Sequence, residues 1–136
     1  MKTAYGLKTR TRLGMAEAEA KVRDLLAGEG FGILTEIDVA ATLHEKLRVT
    51  RDPYRILGAC NPQLAAEALD KEVDVGLLLP CNVIVYQDGE ATAVAALDPA
   101  TMVDLTDNPA LARVAGEARS RLERVIDALP QEDGNA

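Results

Sequence analysis

The chain has 136 residues, of which 48% are hydrophobic and 27% charged, and these ordinary values predict one folded domain. Its net charge of −7 repels a phosphate backbone, and one Phe and three Tyr leave little for base stacking, so no nucleic-acid partner is expected. No export signal and no apolar run of membrane-spanning length is recognised. We therefore expect a cytoplasmic protein without a membrane partner, in which both cysteines are thiols.

The first part of the chain follows a strand, helix, strand, helix pattern. Alternating side chains predict a strand over Tyr5 to Arg12, and apolar residues at helical spacing predict a helix over Met15 to Ala27. A second strand is predicted over Phe31 to Ile37 and a short helix over Val39 to Leu47. The side chains that this short helix is expected to bury are Val39, Ala40, Leu43 and Leu47.

The middle of the chain begins with a third predicted strand, Tyr54 to Ala59. Asn61 is a favourable N-cap and Pro62 a favourable first helical residue, so a helix is predicted from Pro62 to about Glu72. The continuous apolar run Val75 to Leu79 predicts a further strand that ends at Pro80.

A hairpin is predicted next, because the segments 83–87 and 91–97 flank the turn Asp88-Gly89. Asp98-Pro99 predicts the start of a short helix, and Asn108-Pro109 the start of a long one that ends at Pro130. Heptad spacing defines a seam on the long helix, formed by Leu111, Ala115, Ala118, Leu122, Val125 and Leu129. We expect this seam to pack across the sheet, with a second chain as the alternative partner.

These elements predict a single α+β domain over residues 1–130. It contains a mixed sheet of about five strands, helices packed on that sheet and a long C-terminal helix. Residues 131–136 are expected to form a flexible tail.

Two short motifs, Cys60-Asn61 and Cys81-Asn82, each place a thiol next to an amide. Cys60 follows a predicted strand and precedes a predicted helix N-terminus, where the helix dipole favours a thiolate. The alternative is that Cys60 fills a buried corner while Asn61 only caps the helix. Cys81 follows a proline that is equally consistent with a sheet bulge.

No catalytic motif is recognised, so the chain is not expected to be an enzyme, and no cofactor is assigned. Zinc sites usually need three or four Cys, His or carboxylate ligands in close pairs, and no such spacing is present. The one alternative metal set gathers Cys60, Cys81 and His44 from three segments. A surface position for His44 is the simpler interpretation.

Three segments resemble the family called Domain of Unknown Function 302: FGILTEIDVAA at 31–41, PYRILGACNP at 53–62 and GLLLPCNVIVY at 76–86. ALDP at 96–99 resembles the family's closing motif, and Leu13-Gly14-Met15 departs from the Ser or Thr cap that members more often carry. The resemblance implies a compact α+β fold with a mixed sheet, a homodimer and no assigned activity. The family's motif residues that occur in this chain are Tyr54, Arg55, Cys60, Asn61, Cys81, Asn82 and Asp98.

Our first hypothesis is a homodimeric module that binds a small ligand near the two Cys-Asn motifs, at strand ends flanked by helices. The ligand-binding residues we expect are those seven motif residues. One alternative is a thiol-based redox or soft-metal-binding protein that uses Cys60 and Cys81. The other is a structural or protein-interaction module.

Overall fold

In a computed structural model, which describes residues 1–132, five strands and five α-helices follow one another along the chain. The strands are β1 (Gly6–Thr11), β2 (Gly32–Asp38), β3 (Tyr54–Cys60), β4 (Cys81–Asp88) and β5 (Ala91–Leu97). The helices are α1 (Met15–Gly28), α2 (Val39–Leu47), α3 (Pro62–Lys71), α4 (Ala100–Thr106) and α5 (Ala112–Ala128). Short 3-10 helices occupy Val73–Leu78 and Pro109–Leu111.

The strands form one sheet in the order β1-β5-β4-β3-β2. The α+β class, the five strands and the long C-terminal helix are as predicted. All four pairings are antiparallel, whereas a mixed sheet was expected. The reason is that β2, β3, β4 and β5 are neighbours both in the chain and in the sheet, and the chain reverses direction at each connection between them. The first strand, β1, then pairs with β5 at the far edge and runs opposite to it.

The predicted strand Val75 to Leu79 is wrong, because Val73–Leu78 forms a 3-10 helix. The Val75 amide donates to the Glu72 carbonyl at 3.0 Å, and the Leu79 amide donates to the Gly76 carbonyl at 3.2 Å. Val75 is fully buried while Leu77 is exposed, a pattern of one inward-facing helical turn. A short apolar run cannot be assigned to a buried strand or a buried helical turn from periodicity alone.

The main core lies between one face of the sheet and helices α1 and α5. The seam predicted on the long helix is buried within this chain along its whole length. Leu122, Val125 and Leu129 pack in the core on the sheet as expected, whereas Leu111 and Ala115 belong to a second core formed with other helices. Each large buried aliphatic side chain contributes about 1.5–3 kcal/mol to stability. The core side chains from the two helices include Ala18, Val22, Leu26, Leu122, Val125 and Ile126.

A second, smaller core joins α3, the 3-10 helix at Val73–Leu78, α4 and the start of α5. Its buried members are Ala68, Val75, Met102, Leu111, Val114 and Ala115. The ends of β3 and β4 that carry the cysteines lie between this cluster and the main core, because residues of both line one cavity there. The fold thus buries Asn61 of the first motif and Cys81 of the second at this cavity.

Helix α2 has the predicted bounds, but of its expected buried side Val39, Ala40 and Leu43 are only partly buried and the burial of Leu47 is wrong. No residue of α2 is buried, and Leu47 is 66% exposed. The physical reason is its neighbour: β2 is an edge strand with mostly exposed side chains, so α2 has little apolar surface to pack on. The helix is instead started by Asp38, whose Oδ1 accepts a hydrogen bond from the Ala41 amide at 2.9 Å.

The C-terminal residues return to β1. The Thr9 hydroxyl donates to Gln131 Oε1 at 3.2 Å, and Arg10 forms an ion pair with Glu132 at 2.9 Å. Residues 133–136 of the expected flexible tail lie outside the described residues. Within residues 1–132, no helix is long and apolar enough to cross a membrane.

Candidate functional site

The two Cys-Asn motifs meet at the same end of the adjacent strands β3 and β4. In the antiparallel register Ala59 pairs with Cys81, and Gly58 pairs with Asn82. Side chains alternate between the two faces of a strand, so Cys81 and Asn82 face opposite sides of the sheet. The second motif is therefore divided between two sites, a cavity on the helix side and a groove on the open side.

The cavity on the helix side, which we call the thiol cavity, contains both cysteines and is otherwise mostly apolar. Cys81 is buried, whereas Cys60 is partly exposed. Its volume is about 30 Å³, enough for about two water molecules. The lining residues are Phe31, Ala59, Cys60, Asn61, Leu64, Ala65, Ala68, Leu79, Cys81, Met102, Val114 and Ala118.

Burial governs the chemistry of Cys81. The apolar surroundings, and to a lesser degree the neighbouring Cys60 thiol, raise the pKa of Cys81 from 9.0 to about 11. Cys81 is thus a neutral thiol at physiological pH and a poor nucleophile. Only a reaction partner that displaces its proton, such as a soft metal ion, can use its sulfur as a thiolate.

Asn61 acts as the predicted cap of α3. Its Oδ1 accepts a hydrogen bond from the Leu64 amide at 3.2 Å, and its Nδ2 donates to the Glu29 carbonyl at 3.4 Å. Gly30 approaches this amide with a left-handed backbone, φ of 87°, and a Cβ there would lie 2.9 Å from Asn61 Nδ2. Both ends of the amide are engaged, so Asn61 fastens the β3–α3 corner to the end of α1.

Asp98 is a buried ionic anchor at the end of β5. It is 2% exposed, and its carboxylate accepts hydrogen bonds from the Ala100 amide at 3.0 Å and from Arg119 Nε at 3.2 Å. Lys2 Nζ lies 3.9 Å from the same carboxylate. These contacts join β5 to α4 and α5, and Asp98 lines neither the thiol cavity nor the groove.

Arg55 joins β3 to α1. Its guanidinium forms two hydrogen bonds to the Glu19 carboxylate, at 2.9 and 3.1 Å, and a third to Glu36 at 3.1 Å. The hydrogen bond from Arg55 is the main cause that lowers the pKa of Glu19, and Arg23 adds to it. Arg55 therefore forms a structural ion pair with Glu19 and belongs to neither the thiol cavity nor the groove on the open side.

The groove on the open side, which we call the open-face groove, is the larger of the two sites. Its volume is about 530 Å³, within the range of small-molecule sites. The predicted residues Tyr54 and Asn82 belong to it, on the β3 and β4 side. The lining residues are Thr3, Ala4, Tyr5, Gly6, Lys8, Tyr54, Asn82, Ile84, Tyr86, Ala95, Ala96 and Leu97.

The rings of Tyr54 and Tyr86 form one side of the open-face groove, and a cation lies over each ring. Tyr54 and Tyr86, paired in the register, stack with their ring centroids 5.3 Å apart and an interplanar angle of 15°. Lys8 Nζ lies 5.4 Å from the Tyr86 centroid, and the Arg51 guanidinium lies 5.4 Å from the Tyr54 centroid. Interaction with the Tyr86 side chain is the main cause that raises the pKa of Lys8, so its ammonium is charged at neutral pH.

Sequence reasoning missed Lys8 and Tyr86. Tyr86 could have been predicted from the sequence, because every second residue of a strand lies on the same face and Tyr86 therefore shares a face with Asn82 and Ile84. Lys8 could not have been predicted, because it reaches that groove only through the register of β1 on β5, in which it pairs with Ala95. Register depends on the whole fold rather than on either strand alone.

The alternative metal set is not assembled. His44 lies exposed on α2. Within residues 1–132, no group of three or more His, Cys, Asp or Glu side chains is placed to hold a metal ion. Cys60 and Cys81 share a cavity, but His44 does not line it.

Comparison with known proteins gives a family and a fold. A family model described as domain of unknown function DUF302 matches residues 7–129. The crystal structure of an uncharacterized conserved protein DUF302 from Bacillus stearothermophilus superposes with a TM-score of 0.86 at 33% sequence identity. The match covers 92% of this chain and 98% of that one. None of the curated proteins matches the chain.

Proposed function

Because this chain belongs to the family described as domain of unknown function DUF302, which brings no activity with it, we propose a function from its own geometry. The protein is a binding module that holds a small organic ligand in the open-face groove, beside Asn82 and Tyr54. In this proposal the ligand lies next to Asn82 of the second Cys-Asn motif, as expected from the sequence. It binds on the face of the sheet opposite the thiol cavity.

The size and lining of the groove carry this proposal. At about 530 Å³ it has room for a ligand of many atoms, whereas the thiol cavity, at about 30 Å³, has room for very few. Its floor is largely apolar, with Ile84, Ala95 and Leu97, and its polar groups come from Thr3, Lys8, Asn82 and the three tyrosine hydroxyls. An apolar surface for affinity together with polar groups for orientation is typical of ligand sites.

The test fills the groove and measures the binding of a neutral dye. Ala95→Phe places a ring on the groove floor, and Ala20→Phe adds the same ring on the exposed side of α1 as the matched control. Anilinonaphthalene fluorescence should report binding to the wild type and to Ala20→Phe, and at least tenfold weaker binding to Ala95→Phe. Equal binding by a folded Ala95→Phe variant would show that the groove is not the site.

A second candidate rests on one observation, that Cys60 and Cys81 line the same cavity. Two thiols in apolar surroundings suit a soft ion such as Cu⁺, which displaces a proton from each sulfur as it binds. A thiol redox role in a reducing compartment such as the cytoplasm would begin at the partly exposed Cys60, because Cys81 is a poor nucleophile. A Cu⁺ titration tests the metal form: one ion bound by the wild type and none by either Cys→Ser variant would favour it over the groove.

The proposed module is a homodimer, and the outer edge of the sheet supports this. Leu34 and Ile37 of the edge strand β2 are 65% and 47% exposed, and Leu47 at the end of α2 and Val49 just after that helix are also exposed. An apolar, unpaired edge strand is usually covered in native proteins. Light scattering should give a dimer for the wild type and for Leu77→Glu, a control in a separate exposed position, and a monomer for Leu34→Glu.

A third possibility, a structural or protein-interaction module, uses this same apolar edge. It differs from the homodimer in what covers β2. A wild-type chain that stays monomeric at all concentrations would favour it over self-association.

A further inference from the structure

We propose that the open-face groove selects a flat aromatic organic anion, an inference that rests on the proposed function and adds the chemical class of the ligand. Three features of the groove point to that class: an aromatic side, an apolar floor and a lysine without an acidic partner.

The aromatic side and apolar floor favour a flat ligand. Tyr54 and Tyr86 stack in nearly parallel planes, and an exposed Tyr5 stands on the opposite, β1 side of the groove. Between them the floor is formed by short or aliphatic side chains, Ile84 and Ala95 among them. A broad slot with aromatic sides is matched best by a planar, largely apolar molecule.

Lys8 supplies the charge preference. Most arginines of this acidic chain lie within 4.0 Å of a carboxylate oxygen, as Arg55 does with Glu19 and Arg119 with Asp98. Within residues 1–132, Lys8 has no carboxylate oxygen at that distance, although it lines the groove and is partly buried. An ammonium without a bound anion, beside low-dielectric walls, favours an anionic ligand.

Nearby charges agree with this assignment. Arg10 lies on the same strand and face as Lys8, and its positive charge acts on the Lys8 ammonium. Asp88 is a carboxylate whose charge also acts on Lys8, and Arg10 Nε lies 3.1 Å from that carboxylate as an ion pair. At the β4 side of the groove the Asn82 amide has no hydrogen-bond partner within residues 1–132, so it is available to a second polar atom of the ligand.

A matched pair of dyes tests the inference. Anilinonaphthalene sulfonate and neutral anilinonaphthalene share one aromatic skeleton and differ by the anionic group. We expect the wild type to bind the sulfonate about tenfold more tightly, the effect of one charge-assisted contact. Lys8→Met should abolish this difference by weakening the sulfonate alone, and Lys21→Met, which removes an exposed charge on α1, should leave both affinities within twofold.

The design separates failure of the inference from failure of the proposed function. If Ala95→Phe weakens both dyes but Lys8→Met leaves the sulfonate unchanged, the groove binds ligands without selecting anions and the inference is overturned. If Ala95→Phe weakens neither dye, the proposed function itself fails. If dye binding disappears as the protein associates at high concentration, the groove is covered by a second copy and both are overturned.

Salt provides an independent readout. Added sodium chloride screens the partly exposed Lys8, so it should weaken the sulfonate in the wild type and leave the neutral dye unchanged. In Lys8→Met the sulfonate should lose most of this salt dependence. A salt dependence that survives in full in Lys8→Met would assign the anion preference to another cation and overturn the role of Lys8.

Discussion

Cys81 and Asn82 are consecutive residues whose side chains lie on opposite faces of one sheet, the thiol in a small cavity and the amide in an open groove. The Ala59–Cys81 and Gly58–Asn82 pairings fix this division. The second Cys-Asn motif therefore marks one position in the sheet but contributes to two separate sites. The chemistry of each side can be tested separately.

The two thiols should differ in reactivity. Cys81 is buried and its pKa is raised to about 11, while Cys60 is partly exposed. With iodoacetamide at about pH 8, Cys60 should be alkylated at least tenfold faster than Cys81. Mass spectrometry of the digested protein measures both rates, with urea-unfolded protein as the control in which the two sites react alike. Equal rates in the folded protein would contradict the burial of Cys81.

The same pKa shift predicts a loss of stability in alkali. The thiol of Cys81 ionises at about pH 9.0 when the chain is unfolded and at about 11 when it is folded. Base therefore deprotonates the unfolded state first, and the free energy of unfolding should fall as pH rises from about 9 toward 11. Urea denaturation of the wild type and Cys81→Ala across this range should show a steeper fall for the wild type. Parallel curves would refute the assignment.

Gly58 should resist substitution, because a Cβ there would lie 2.8 Å from Pro80 Cγ and would overlap the Thr35 side chain. Gly58→Ala should cost about 2 kcal/mol or more of unfolding free energy. Gly28→Ala is the matched control, since a Cβ at this position of α1 meets nothing within 4 Å and should stabilise by about 0.5 kcal/mol. Chemical denaturation measures both, and a neutral Gly58→Ala would contradict the packing of β2 on β3.

The Glu19–Arg55 ion pair should stabilise the fold at neutral pH and lose this effect in acid. Arg55 lowers the pKa of Glu19 below its ordinary 4.5, so the stabilisation is full above pH 4.5 and disappears as pH falls through the lowered value. Arg55→Met should therefore cost about 2 kcal/mol at pH 7 and much less at about pH 3. Lys21→Met serves as the control. A cost that is independent of pH would mean that Arg55 acts through packing alone.

Asp98 should act as a structural anchor. Asp98→Ala removes both the cap of the Ala100 amide and the partner of Arg119, and it should cost about 3 kcal/mol. Asp98→Asn keeps an oxygen for the cap and should cost about half as much. Thermal denaturation can compare them with Asp127→Asn on the exposed side of α5, which should be neutral. A stable Asp98→Ala with weakened dye binding would instead place Asp98 in the ligand site.

Local signals in the sequence were sufficient for most element positions. Asn61 and Pro62 marked the start of α3, and the heptad seam marked the buried stripe of α5. Local signals were insufficient where the structure of a segment depends on the element packed against it. Residues Val75–Leu79 have the composition of a buried strand, yet the small core beneath them accommodates a 3-10 turn. The apolar face of α2 has the right period, yet its neighbour β2 is an exposed edge.

The candidate site was predictable in part for the same reason. The thiol–amide motifs mark the ends of β3 and β4, and the structure brings Cys60 and Cys81 to one cavity. Which face each side chain takes, and that Lys8 arrives opposite Ala95, depends on the sheet register. Register is set by long-range pairing, which no local pattern in this chain specifies.

A nuclear magnetic resonance titration of the labelled protein with anilinonaphthalene sulfonate tests the open-face groove most directly. Side-chain chemical shifts should change most on the open face, at Lys8, Asn82, Ile84 and Ala95, and should change little at Cys60 and Cys81. Shifts concentrated around the thiol cavity, or on the exposed leucines of α3 and α4, would contradict this expectation and assign the ligand to another surface.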